Sequence, residues 1–287
     1  MKKTQLAGLI VLGLIAVQVA RYADARNDRE EAAPLPETET HTVQAGPNQP
    51  YQGNLVLVDQ EHPVKEAGRL TDIVNLYDHP ELTKGYGLMD TTVNLSRRVA
   101  EKWEVLVEAA SGDGIRHFVI NSGYRNEREQ EKLYEQKGAD YALPPGYSEH
   151  NLGLSMDIGS TETEMSKAPE GKWLSKNAWK YGFILRYPKD KTDITGIQFE
   201  PWHFRYVGLP HSKLMHDHQW TLEEYLEALK AHGTMTAAYQ GIAYTVAYYP
   251  ASPTGKTLIR VPDKGAYTVS GNNGDGIIVT TQTEGGQ

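Results

Sequence analysis

No cysteine occurs anywhere in the 287 residues. Nothing covalent can staple this chain, so a packed apolar core must hold it. The same absence excludes an all-thiolate zinc site, a thiol nucleophile and a cysteine-linked lipid. It leaves export open. Hydrophobic residues make up 39%, and 27 glycines bring the apolar share close to that of globular proteins. That is enough for one large domain, or one domain with a small satellite, and it excludes a wholly disordered chain, a collagen and a polytopic membrane protein. The balance of 29 basic against 37 acidic residues gives a net charge of −8. A nucleic-acid binder needs a basic excess to attract phosphates, and none is present.

Four stretches differ in composition. Residues 1 to 25 open with Lys2 and Lys3, run without charge from Thr4 to Ala20, and close at Arg21. As a helix, that run reaches roughly 25 Å, the short end of a bilayer crossing. The charge order suits a membrane anchor with the lysines inside and the rest outside, or a signal peptide cut near Ala25. Residues 26 to 50, rich in proline and acids, read as a flexible tether. Residues 51 to 232 carry the globular pattern, and 233 to 287 read as a β-rich appendage.

Within the globular stretch, residues 55 to 58 read as a short strand. Leu95, Val99, Leu106 and Ala110 share a helical face. HFVINS (117 to 122) reads as a strand, and Asn126 caps a helix that Gly138 ends. Further strands are expected around 154 to 158 and 204 to 208, with a helix over 172 to 181 between them. Thr221 with Glu224 forms a capping box on a helix that stops at Gly233. AYTVAYY, KTLIRV and GIIVTT then read as strands divided by Pro and Gly turns.

The chemistry concentrates in two segments, YSEHNLGLSMDIG with His150 and Asp157, and FEPWHFRYVG with Glu200 and His203. Imidazole nitrogens and carboxylate oxygens are good zinc ligands. Three such protein ligands leave a fourth position open, which favours a catalytic over a structural site. Glu200 lies three residues before His203, with Pro201 between them ruling out a regular helix. A carboxylate near the metal, but not on it, can take a proton from an attacking water. His211, His216 and His218 resemble a metal cluster, but helical spacing separates His211 from His218 by about 10 Å. They are expected to be solvated. Serine-peptidase strings, Ser-x-x-Lys and Lys-Thr-Gly, do not occur, and neither does H-E-x-x-H.

The order Ser148-x-His150-x-x-Gly153-x-Ser155-x-Asp157, then Glu200-Pro-Trp-His203, resembles the zinc D,D-carboxypeptidases of the VanY type, in the superfamily that includes lysostaphin-like enzymes and the hedgehog domain. INSGYRNEREQ (120 to 130) and residues 184 to 211 extend the likeness, which covers about residues 51 to 230. Ser155 stands where the family often has alanine. The resemblance implies an α+β zinc domain, with a mixed or antiparallel central sheet flanked by helices and a small β-rich C-terminal segment. It implies one zinc per chain on His150, Asp157 and His203, with Glu200 as general base and Arg125 steadying the oxyanion. Gln130 and Ser148 would hold the terminal D-Ala, and Trp202 would wall the site. The implied reaction removes D-Ala from peptidoglycan stem peptides ending in D-Ala-D-Ala, with penicillin-insensitive, vancomycin-resistance-linked activity. A D,D-dipeptidase, a wall endopeptidase and a non-catalytic wall-binding zinc module are the alternatives. The chain is expected to act as a monomer outside the cytoplasm, held at the membrane by its N-terminal segment, with no nucleic-acid partner.

Overall fold

The computed structural model describes residues 39–138, 143–253 and 255–284. The expected anchor and residues 26 to 38 of the expected tether lie outside them. Among the described residues no helix is long and apolar enough to cross a membrane.

The globular stretch is organised by a five-stranded mixed sheet in the order β3 (Gly87–Leu88), β5 (Phe118–Ser122), β6 (Ser155–Ser160), β8 (His203–Tyr206), β7 (Phe183–Leu185). Only the β3–β5 pair is parallel. A small antiparallel pair, β2 (Ile73–Asn75) with β4 (Asn94–Ser96), leads into helix α1 (Arg97–Gly112). The Ser96 side chain caps α1, so the helix begins later than its apolar spacing suggests, and Leu95 belongs to the strand. Val99, Trp103, Leu106 and Ala110 recur on one face of α1 and bury completely. Trp103 packs edge-on against Tyr86, Phe118 and Phe183, with ring centroids 6.4, 5.8 and 5.7 Å away. Truncating such a tryptophan costs about 3–5 kcal/mol.

Helix α2 (Glu127–Lys137) starts at a capping box formed by Asn126 and Glu129. Helix α3 (Pro169–Asn177) runs into a 3₁₀ turn, Ala178–Tyr181, that Gly182 ends. The expected single helix over 172 to 181 is thus two pieces. A short helix α4 (Thr192–Thr195) precedes the site loop, and α5 (His211–His218) and α6 (Leu222–His232) follow β8. The Thr221–Glu224 capping box is present.

Beyond Gly233, β9 (Thr234–Tyr239), β10 (Ile242–Pro250), β13 (Gly276–Glu284) and β12 (Tyr267–Gly271) form an antiparallel sheet in the order β12-β13-β10-β9. β11 (Thr257–Pro262) instead pairs with β1 (Thr40–Ala45), inside the stretch expected as tether. The reason is apolar: Val43 and Ala45 pack with Ile259, Val261, Ile277 and Val279. Proline and acid content describes the stretch on average and hides that short alternation.

Residues 55 to 58 are buried but belong to no sheet, contrary to the strand expected there. Leu55 and Leu57 join a cluster with Val246 and Ile278 of the C-terminal sheet. Val56 and Val58 point the other way, into the main core with Leu106 and Ile158. The segment is a shared layer between the two sheets.

Candidate metal centre

Register assembles the site. Ser122 of β5 stands opposite Asp157 of β6, and Asp157 stands opposite His203 of β8. His150 comes from a 3₁₀ turn, Glu149–Asn151, capped by Ser148, whose hydroxyl accepts from the His150 amide. Gly153, at φ +89°, reverses the chain from this turn into β6, a conformation few other residues adopt.

His150 Nε2 lies 3.4 Å from Asp157 Oδ2, and His203 Nδ1 lies 3.2 Å from Asp157 Oδ1. All three ligand atoms fall within 4.8 Å of one another. A tetrahedral zinc with bonds of about 2.0–2.2 Å places its ligand atoms about 3.3–3.5 Å apart, and each imidazole nitrogen lies close to that distance from one Asp157 oxygen, His150 from Oδ2 and His203 from Oδ1. Asp157 Oδ1 is buried and accepts no hydrogen bond. A buried carboxylate oxygen without a donor is costly unless a cation takes the place of one. The donor set and the orphaned oxygen therefore fit zinc.

Each imidazole is turned by its far nitrogen. His150 Nδ1 donates to the Gly123 carbonyl at 2.6 Å, which leaves Nε2 for the metal. Gly123 has no freedom to be anything larger, because a Cβ there would lie 2.1 Å from the Asn94 carbonyl oxygen. His203 Nε2 donates to Glu149 Oε2 at 3.3 Å, leaving Nδ1 for the metal. Burial lowers the pKa of His203, but the Asp157 and Glu149 carboxylates outweigh it and push the ring up to about 9.

Glu200 Oε2 is 3.6 Å from His203 Nδ1, with its carboxylate partly open to solvent. Burial raises its pKa, helped by the Asp157 charge and opposed by His203. That is the direction a general base needs. Arg125 Nη1 donates to Ser122 at 2.6 Å and lies 3.7 Å from Asp157 Oδ2; its Nε donates to Gln130 Oε1 at 2.9 Å. Burial lowers the Arg125 pKa, against the pull of Asp157 and Glu200. Gln130 is buried, and its Nε2 donates to the Leu143 carbonyl, so both polar ends have partners inside the protein. Trp202 is 41% exposed and lines a groove of about 430 Å³ with Asn121, Gly159, Thr163 and Met165.

The structure thus brings His150, Asp157, His203, Glu200 and Arg125 together. It also shows residues that sequence reasoning missed. Glu149 is fully buried and accepts from Arg205 at 2.6 Å and Arg186 at 2.8 Å. Burial pushes its pKa up, yet Arg205 and Arg186 hold the carboxyl well below its usual range. Arg186 also forks onto Glu223 at 2.7 and 3.0 Å. The available signal was two arginines set inside apolar strands, ILRY and HFRYV, with a glutamate directly before the metal histidine.

The histidines of α5 separate. His216 and His218 are exposed, stacked on Trp179 and Trp220. His211, expected to be solvated, is buried, with ring nitrogens 2.7 Å from the Tyr225 hydroxyl and 3.1 Å from that of Thr280. It lies under the C-terminal sheet, which its local sequence gave no means of foreseeing.

Two histidines, one aspartate and a glutamate beside the open side define a zinc metallopeptidase. Within that class, the chain belongs to the VanY family of D-alanyl-D-alanine carboxypeptidases. The family's sequence profile matches residues 92–209. A D-alanyl-D-alanine carboxypeptidase of Enterococcus faecium is 54% identical over 232 residues, covering 81% of this chain and 76% of that protein. The crystal structure of the vancomycin-resistance D,D-dipeptidase VanXYg, in complex with a D-Ala-D-Ala phosphinate analogue, superposes with a TM-score of 0.75. It is 31% identical and covers 85% of this chain and all of its own. A mutant of the VanY D,D-pentapeptidase from a VanB-type resistance cassette, in complex with Zn(II), gives a TM-score of 0.50 at 30% identity, covering 60% of this chain and 98% of that one.

Proposed function

We propose that this chain is a zinc D,D-carboxypeptidase that removes the terminal D-Ala from stem peptides ending in D-Ala-D-Ala, and so withdraws the target of vancomycin. The observation that carries the reading is Glu200, 3.6 Å from a zinc-ligand nitrogen yet outside the ligand set. Bound zinc supplies Lewis-acid activation of the water and of the scissile carbonyl. Glu200 takes the proton of the attacking water and returns it to the departing D-Ala amine. Arg125, held by Ser122 and Gln130, presents its guanidinium to the carbonyl oxygen as negative charge develops there. Ser148 and Gln130 shape the end of the site that meets the terminal residue.

A dipeptidase reading draws support from the likeness to VanXYg. The carboxypeptidase reading draws support from the 54% identity to a D-alanyl-D-alanine carboxypeptidase. The apolar run after Lys2 and Lys3 supports an anchored or exported enzyme acting outside the cytoplasm. Mass spectrometry of a stem pentapeptide after incubation, with and without a chelator, tests the proposal. Loss of one alanine that the chelator abolishes is the expected result. Release of the dipeptide, an internal cut, or full turnover in chelator overturns it.

A further inference from the structure

The zinc ligand His203 is linked to the C-terminal sheet by an unbroken chain of hydrogen bonds. Glu149 Oε2 accepts from His203 Nε2 at 3.3 Å and from the Ser155 hydroxyl at 2.8 Å. Glu149 Oε1 accepts from Arg205 Nη1 at 2.6 Å. The other arm of that guanidinium, Nη2, donates to the carbonyls of Asn54 and Val56 at 2.9 and 2.8 Å. The opposite edge of the same segment belongs to the turn between β12 and β13. The Leu55 amide donates to the Ser270 hydroxyl at 2.9 Å and the Leu57 amide to the Asn272 carbonyl at 3.4 Å. Asn273 Nδ2 donates to the carbonyls of Leu57, Pro63 and His62 at 2.8, 3.0 and 3.3 Å.

We infer that Glu149 is a positioning residue for His203, and that the C-terminal sheet braces it through Arg205 and residues 54 to 58. The inference rests on the zinc reading of His150, Asp157 and His203. Physically, an imidazole is free to rotate unless its far nitrogen is held, and a carboxylate holds it only if the carboxylate is itself fixed. Arg205 fixes Glu149 from a rigid planar fork whose other arm is set by two backbone carbonyls. Those carbonyls sit in a segment with no sheet of its own. The turn at 270 to 273 supplies the hydrogen bonds that a neighbouring strand would otherwise give. The apolar alternation agrees, with Leu55 and Leu57 toward the C-terminal sheet and Val56 and Val58 toward the core.

The test uses the full chain and zinc itself, competed by a chromophoric chelator, together with the visible spectrum of the cobalt(II)-substituted protein. Glu149→Gln is expected to weaken zinc binding about 10- to 100-fold, the range found when a group orienting a ligand is removed. Asn273→Gly with Ser270→Ala removes the brace remotely. Glycine accepts the φ of +66° at that position, so the turn itself is kept. This pair is expected to weaken zinc several-fold and to shift the cobalt bands. Lys230→Ala breaks the exposed Lys230–Asp275 bridge, which reaches the same turn through Asp275 and Asn272 but makes no bond to residues 54 to 63, and is expected to leave both readouts unchanged. If Glu149→Gln does not fold, the remote pair decides alone. Parent-like zinc affinity and cobalt bands in the remote pair overturn the brace, as would an equal loss in Lys230→Ala. Parent-like affinity in Glu149→Gln overturns the positioning role. A parent chain that holds no zinc overturns the zinc reading and this inference with it.

Discussion

Two polar clusters share the same interior and meet at one hydrogen bond, but they are finished differently. Around Glu149, two glutamates and two arginines cancel in charge, and every oxygen of Glu149 has a donor. Around Asp157, two imidazole nitrogens converge on one carboxylate, and Oδ1 is left with no donor. The first cluster is complete without a ligand. The second is complete only with a cation. A buried group lacking its partner is expensive, so the contrast separates a cluster that serves the fold from one whose donor set suits a metal. The completed cluster lies directly behind the unfinished one and fixes one of its ligands.

The largest expected effect breaks the unfinished side. Glu200→Gln keeps the shape of the side chain and removes the base, so turnover should fall by about 10²–10⁴-fold. Zinc content should stay near the parent's, because Glu200 is not a ligand. Elemental analysis paired with D-Ala release from one stem pentapeptide measures both, and loss of zinc would reassign Glu200 as a ligand.

The next effect breaks the finished side. Arg186→Ala strips one charge from a fully buried group and leaves Glu149 and Glu223 short of donors. Breaking a buried pair in this way costs about 3–5 kcal/mol, and urea unfolding of the metal-free protein should show it. A cost below about 1 kcal/mol, the range of surface pairs, would mean the cluster is not the closed network described.

A third test concerns His211, another finished buried group. Burial lowers its pKa to about 3, while an unfolded histidine titrates near its ordinary value of 6.5. The unfolded chain therefore binds the proton first as pH falls. Its contribution is fully present above about 6.5 and is lost down to about 3, at up to about 1.4 kcal/mol per pH unit. His211→Gln should flatten the acid limb of a stability–pH curve, and an unchanged slope would exclude the group. The smallest effect belongs to His216→Ala. This exposed residue should leave zinc content unchanged and stability within about 0.5 kcal/mol of the parent.

The site was legible in the sequence because its chemistry needs particular residue types at close spacing. His150, Asp157, Glu200 and His203 stood out as polar groups in an apolar context, and the capping residues Asn126 and Thr221 marked two helices. What supports them was not legible. Glu149, Arg186 and Arg205 read individually as ordinary charges, and only the tertiary fold reveals that they neutralise one another. Residues 55 to 58 had the composition of a strand, but their hydrogen bonds go to a guanidinium and a turn more than two hundred positions away. β1 was hidden for the same reason, since its partner β11 lies as far off along the chain.

The row Ser122, Asp157, His203 crosses three strands whose partners are remote in sequence. Side chains alternate between faces, so a slip of one residue between β6 and β8 would turn His203 or Asp157 to the wrong face. A misthreaded sheet could still be compact and hydrogen-bonded. It could not hold the metal. Metal content is thus a molecular proof of correct strand pairing, and zinc supplied during refolding acts as an editor, stabilising only the chains that have aligned three strands correctly.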